Sequence, residues 1–97
     1  MISEVEVEDE ELADLYRYLA QWSIARYGGR YVVRGALPEM LEGDWSPRQR
    51  IVVVEFPDAE TARRWYTSAE YAPALKIRKS ALSRRLLLLE GAPPGTR

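Results

Sequence analysis

The feature that most constrains this chain is a junction. A helix-period apolar stripe runs into Tyr27-Gly28-Gly29 and stops. Arg30-Tyr31-Val32-Val33-Arg34-Gly35 then begins an alternating run rich in aromatic and β-branched residues. Upstream, Leu12, Leu15, Leu19 and Trp22 recur at spacings of three and four, flanked by Ile24 and Tyr27. Asp14, Arg17, Gln21 and Arg26 fall mostly elsewhere on the wheel. The pattern predicts an amphipathic helix of about five turns. Gly28 is expected to take the left-handed conformation that ends it, and Gly29 lets the chain reverse.

The remaining elements follow from pattern and punctuation. Ile2 to Val7 alternates, with Val5 and Val7 opposite Glu4 and Glu6, which reads as a short strand with one wet face near a sheet edge. Asp9 is the expected N-cap of the first helix, within an acidic first turn that suits the macrodipole. In the second strand, Arg30 to Gly35, Tyr31 and Val33 are expected on one side and Arg30, Val32 and Arg34 on the other. Leu37 to Leu41 extends this ribbon after a kink at Gly35-Ala36, with Pro38 at an edge or bulge. Glu42 to Pro47 carries turn chemistry. Arg50 to Phe56 is apolar on both faces and is therefore expected to be central and covered on both sides.

Asp58 caps the next helix, whose stripe is Ala59, Ala62, Trp65, Tyr66 and Ala69. A break is expected near Thr67 to Ala72, then a second segment from Leu75 to Leu82, with Pro73 tolerated in its first turn. Arg85 to Glu90 is the last strand. The order is strand, helix, strand, strand, helix, strand. It predicts one α+β domain over residues 1–91, a ferredoxin-like four-stranded antiparallel sheet with its helices on one face, followed by a loose Pro/Gly tail at 92–97. Helices on one face leave the other side of two-faced strands uncovered. The simplest cover is a second copy about a two-fold axis, a homodimer.

Composition narrows the chemistry. Among 97 residues there is no cysteine and no histidine. That removes thiolate nucleophiles, zinc–thiolate sites, the commonest metal ligand and the commonest general base. Lys+Arg total 14 against 15 Asp+Glu, so no net field favours nucleic acid, and Arg63-Arg64 and Arg84-Arg85 read as solvated faces. No run of about 20 apolar residues is present to span a membrane. The acidic start, Met1-Ile2-Ser3-Glu4-Val5-Glu6, is unlike a signal peptide, and the expected compartment is the cytoplasm. No cofactor and no metal are expected.

Several segments resemble a known family: Tyr27 to Gly35, Leu41-Glu42-Gly43-Asp44-Trp45, Val54-Glu55-Phe56-Pro57, and Ala62 to Tyr71 followed by Arg78. In this order and spacing they resemble the bacterial domain-of-unknown-function family 1330, over roughly residues 4–91. The resemblance implies a ferredoxin-like fold in the dimeric α+β barrel superfamily, whose members pair their sheets face to face. That superfamily includes cofactor-free monooxygenases, cyclases and isomerases, haem enzymes and stress-related proteins. Without histidine, the haem branch lacks a usual ligand here. Members begin with a longer apolar first strand, so the acidic start implies a first strand that is short or contributes less.

Candidate site residues divide between chemistry and packing. Arg34 alternates with Val32 in a covered strand and needs a carboxylate or an anionic ligand, with Glu42 and Glu55 the nearest carboxylates in sequence. It is either half of an Arg–Glu pair fixing the hairpin or a clamp for an anion or enolate. Glu55, on the face of Ile51 and Val53, is a candidate proton carrier, as is Glu42. Trp65, Tyr66 and Tyr71 cluster at the helix break and are either core or pocket wall, with Arg78 two turns beyond Tyr71. The expected function is small-molecule binding, of an apolar or anionic ligand. As an enzyme it would act without a cofactor on an apolar or aromatic compound, as a monooxygenase, cyclase or isomerase. The competing class is a non-catalytic structural or regulatory homodimer with a filled core.

Overall fold

The computed structural model describes residues 1–93. Its elements are β1 (Ile2–Val7), α1 (Glu10–Arg26), β2 (Arg30–Ala36), β3 (Arg50–Glu55), α2 (Ala59–Tyr66), α3 (Ala72–Ala81) and β4 (Leu82–Leu87). The second helical region is thus split where Thr67 to Tyr71 interrupt it, and α3 carries its proline in the first turn. The last strand begins three residues earlier than its leucine run suggested. Residues 94–97 of the expected tail lie outside the described residues.

The sheet is antiparallel throughout, in the order β2-β3-β1-β4, with the helices packed on one side of it. This is the ferredoxin-like arrangement. The first strand is not at an edge: β1 bonds both β3 and β4. Its glutamates, which looked like a wet margin, meet arginines instead. Glu4 pairs with Arg85 at 2.6 Å and Glu6 with Arg48 at 3.1 Å.

Helix α1 is fixed at both ends by local chemistry. The Asp9 carboxylate accepts from the Leu12 amide at 3.1 Å, satisfying a donor that the helix itself leaves open. At the other end Gly28, at φ 72°, donates to the Ala25 carbonyl, and Gly29 donates to that of Ile24. These are the two bonds of a Schellman stop. Gly29 is also required sterically, because a Cβ there would lie 2.7 Å from Ile24 Cγ2 and 2.9 Å from Phe56 Cε1. The glycine pair therefore lets β2 start directly under the helix end.

The buried face of α1 differs from the expected leucine stripe. Ala13, Tyr16, Ala20, Ser23 and Ile24 are buried, whereas Leu15 and Trp22 are 45% and 63% exposed. Small residues win that face because they let the helix lie close to the sheet and to α3. Ser23 is tolerated there because its hydroxyl is fully used, donating to the Ala20 carbonyl at 2.8 Å and accepting from Trp65 Nε1 at 2.9 Å. Trp65 is 1% exposed and stacks between Phe56 and Tyr71, at centroid distances of 5.4 and 4.0 Å. With Val5, Val54, Leu82, Ala74 and Ala81 these side chains form the core.

Strand β2 departs from strict alternation. Tyr31 lies opposite Val54 and Arg34 opposite Val52, both on the helix side, while Val33 and Ala36 lie opposite Val53 and Ile51 on the far side. Register shifts at Val32 and at Gly35 (φ 84°) insert unpaired residues, and each one swaps the face that follows. Tyr31 and Val33 are therefore on opposite faces, and Arg34 turns towards the helices. Residues 37–49 are irregular rather than an extended ribbon, and nearly all are exposed. Trp45 anchors this segment by donating to the Gln49 carbonyl at 2.9 Å.

Among the described residues, none forms a helix on the far face of the sheet. Ile2, Val33, Ile51, Val53 and Leu87 lie on it, bordered by the ion pairs Arg30–Glu55, Arg48–Glu6 and Arg85–Glu4. Among the described residues, no helix is long and apolar enough to cross a membrane.

Candidate functional site

A cavity of about 100 Å³ lies between α1 and the helix side of the sheet. Period-two alternation along β1 and β3 supplies its floor, where Ser3, Val5, Val52 and Val54 point the same way. Tyr16, Ala20 and Ile24 of α1 form its roof, and Trp65 closes one side. Tyr31, Arg34, Arg50 and Arg84 add polar edges.

The most connected polar group is Arg84 on β4. It shares the helix side with Leu82 and Leu86, and lies opposite Val5 of β1. Its two terminal nitrogens donate to the hydroxyls of Tyr16 and Tyr71, each at 2.6 Å. Those hydroxyls are themselves 2.8 Å apart, with the rings edge to face. Tyr71 is held from behind by its own turn: its amide donates to Ser68 Oγ at 3.1 Å, and Ser68 Oγ donates to the Trp65 carbonyl at 2.7 Å. Burial pushes the Tyr71 phenol well above its ordinary range, and the Tyr16 oxygen adds to this while Arg84 opposes it. For Arg84, burial works against the charge, but the two phenol oxygens outweigh it and its pKa is raised. The cluster is thus a charged guanidinium held by two neutral hydroxyls. Among the described residues it has no carboxylate partner.

Other groups at the cavity are similarly placed among neutral partners. Arg34 donates to the Gln21 side-chain amide and lies over the Tyr31 ring at 4.3 Å from its centroid. Burial raises the Tyr31 pKa, with Arg34 pulling the other way. Arg50 donates to the Gly35 carbonyl at 3.0 Å. Ser3 Oγ is buried and has no hydrogen-bond partner.

The sequence-derived candidates are only partly brought together. Arg34 and Trp65 line the cavity, and Tyr71 reaches it through Arg84. Glu55 points to the opposite side of the sheet, where it accepts from Arg30 at 2.9 Å. Of the two carboxylates considered as partners for Arg34, Glu55 does not pair with it, because the bulge at Val32 puts the two residues on different faces. Glu42 sits in the exposed 37–49 segment and does not line the cavity. Tyr66 is 42% exposed on α2 and borders a separate, shallower depression with Ala62, Leu86 and Leu88. Arg78 is half-buried on α3, its Nε atom without a partner, and it lines neither hollow.

Three residues that line the cavity are not among the sequence-derived candidates: Arg84, Tyr16 and Ser3. Of the Arg84-Arg85 pair, expected to be a solvated face, only Arg85 faces outward, to Glu4, while Arg84 turns to the helix side. The signal was the alternation Leu82, Arg84, Leu86, hidden by starting the strand at Arg85. Ser3 shares the period-two face of Val5 and Val7, which marks it as inward. Tyr16 lies between the leucines of the more hydrophobic stripe, and the periodicity of that stripe masks it.

An antiparallel βαββαβ sheet, helices on one side and a small pocket beneath the first helix define an α+β domain of ferredoxin-like order. The chain belongs to the family described as domain of unknown function (DUF1330), which it matches over residues 1–92. No curated relative matches it.

Proposed function

We propose that the protein binds a small molecule in the cavity between α1 and the sheet, and that it does so as a homodimer. The observation that carries the binding reading is the convergence of polar groups on an apolar-walled hollow: the Arg84–Tyr16–Tyr71 cluster, whose cation has no carboxylate partner among the described residues, and the partnerless Ser3 hydroxyl beside Val5, Val52 and Val54. Ligand sites combine apolar walls with a few placed polar groups in this way. Glu42 and Glu55 do not reach the cavity, so in cofactor-free chemistry here a tyrosine hydroxyl, that of Tyr16, would have to move the proton while Arg84 polarised an oxygen. A cytoplasmic location accords with this reading.

The dimer reading rests on the far sheet face. Its apolar centre carries charges of both signs at its border, so the same patch is self-complementary about a two-fold axis. A second reading, a structural dimer with a filled core, is favoured by one observation. The cavity is smaller than the roughly 300–1,000 Å³ of ordinary ligand pockets.

Two measurements test the proposal. Fragment titration followed by amide NMR shifts is expected to report binding at Ser3, Ala20 and Val54. Ala20→Leu, which fills the cavity, is expected to abolish those shifts without loss of fold. Fragment shifts unaltered by Ala20→Leu would remove the cavity reading. Sedimentation of the native protein is expected to give a dimer, and Val53→Glu, at the centre of the far face, a monomer. A wild-type protein that stays monomeric at high concentration would remove the dimer.

A further inference from the structure

We infer that the cavity ligand is a short-chain monocarboxylate, its carboxylate held by Arg84, Tyr16 and Ser3 and its alkyl end lying on Val5, Val52 and Val54. This inference rests on the small-molecule reading above and names the ligand class for that same site.

Charge is the first argument. Arg17, Arg34, Arg50 and Arg84 line the cavity, and among the described residues no Asp or Glu does. Only Arg17 has an acidic partner, Asp14 at 2.6 Å, and that pair is largely exposed. The other three are met by an amide oxygen, a backbone carbonyl and two phenols, all neutral. Arg34 and Arg50 are exposed at the cavity rim, whereas Arg84 is half-buried among dipoles, and a cation so placed is stabilised strongly by an anion entering the same space.

Donor accounting is the second. A guanidinium has five N–H groups, and Arg84 uses only two of them on the tyrosines. Tyr71 is fully buried, and the acceptor available to its hydroxyl is Tyr16. With Tyr71 as donor, the Tyr16 proton is left free, and Tyr16 lines the cavity where Tyr71 does not. Ser3 Oγ adds another unused donor at 3% residue exposure. Ser3 lies opposite Leu86 and Arg84 opposite Val5, so the two are diagonal neighbours on one face of β1 and β4. All three free donors await an acceptor, and one carboxylate has lone pairs for all of them.

Size and polarity choose among anions. A dry cavity of about 150 Å³ accommodates the six carbons of benzene, so this one, at about 100 Å³ and open on one side, encloses about four non-hydrogen atoms and lets a slightly longer chain end at its mouth. Inorganic phosphate would leave the valine floor facing nothing. A three- or four-carbon carboxylate uses both the donors and the floor.

The test is an NMR titration of the native protein at neutral pH with butyrate, butyramide and inorganic phosphate. Butyrate is expected to shift Ser3, Ala20 and the Arg84 Nε–H signal, with butyramide binding at least about tenfold more weakly, the usual scale for losing a charge-assisted hydrogen bond. Ser3→Ala is expected to weaken butyrate severalfold, and Arg84→Lys about tenfold or more, since lysine cannot reproduce the planar fork. If Arg84→Lys does not fold, Ser3→Ala and the butyrate–butyramide contrast decide the question. Equal binding of butyrate and butyramide would overturn the carboxylate assignment while leaving the cavity as a ligand site. Phosphate binding as tightly as butyrate at the same residues would overturn it too, in favour of a general anion site. No response of the cavity residues to any of the three would overturn the carboxylate, and an accompanying failure of neutral fragments to bind would overturn the cavity reading with it.

Discussion

Replacing Ser23 with alanine removes the acceptor of a fully buried indole N–H. Trp65 Nε1 donates to Ser23 Oγ at 2.9 Å, and the two residues are 1% and 0% exposed. Water has no access to take over, so the indole N–H is left unpaired, which costs about 1–3 kcal/mol. Against this, alanine is the better helix former by about 0.4 kcal/mol at an interior position. The expected net loss is about 1–2 kcal/mol. For a chain of this size that is a fall in Tm of roughly 4–16 °C. The assay is urea unfolding followed by circular dichroism, at one fixed protein concentration, because the stability of a protein that associates depends on its concentration. The decisive comparison is the same substitution in a Trp65→Phe background. Phenylalanine has no N–H to strand, so Ser23→Ala is expected to be nearly neutral there, giving a coupling of about 1–2 kcal/mol between the sites. An equal cost in both backgrounds would refute the argument.

Three further predictions concern the glycine stop, the helix cap and the tyrosine cluster. Gly29→Ala places a Cβ against Ile24 and Phe56 and is expected to cost about 1–3 kcal/mol by denaturant titration, as overpacking does, whereas Gly91→Ala, with open space around it, is expected to be neutral. The Asp58 carboxyl is held below its usual range by its hydrogen bonds from Thr61, side chain and backbone, the amide at 2.7 Å. Its contribution is present above the unfolded value near 3.9 and is lost as pH falls through the lower folded one, so Asp58→Asn is expected to flatten the acid limb of a stability-versus-pH curve. Tyr71, its pKa raised by burial, is expected to stay protonated when exposed tyrosines ionise near pH 10. Its stabilising effect is complete below that pH and declines above it, and Tyr71→Phe removes the late step from the ultraviolet titration; a Tyr71→Phe protein with an unchanged alkaline titration would contradict the assignment.

Much of the fold was decided by local chemistry that a sequence displays. Asp9 and Asp58 cap helices because carboxylates accept the free amides of a first turn. Gly28-Gly29 stops α1 because a left-handed residue and a missing Cβ are both needed there. The succession of strand and helix periods was enough to place a four-stranded antiparallel sheet in βαββαβ order, although the alternation of β1 suggested an edge and the strand lies between β3 and β4. Which face each residue serves was a different matter. The bulge at Val32 in β2 reverses the side on which Arg34 lies, and a bulge is set by cross-strand pairing rather than by the strand's own pattern. The buried side of α1 was chosen by how closely Ala13 and Ala20 let it approach, so the more hydrophobic Leu15 and Trp22 lost that competition. Arg84, Tyr16 and Tyr71 are separated by 68, 55 and 13 positions in their pairings and meet only when β4, α1 and the turn before α3 are packed together. Caps, stops and periodicity depend on neighbours a few residues away, and the chain alone specifies them. The cavity and its cationic cluster depend on contacts between distant segments, and those exist only in the folded molecule.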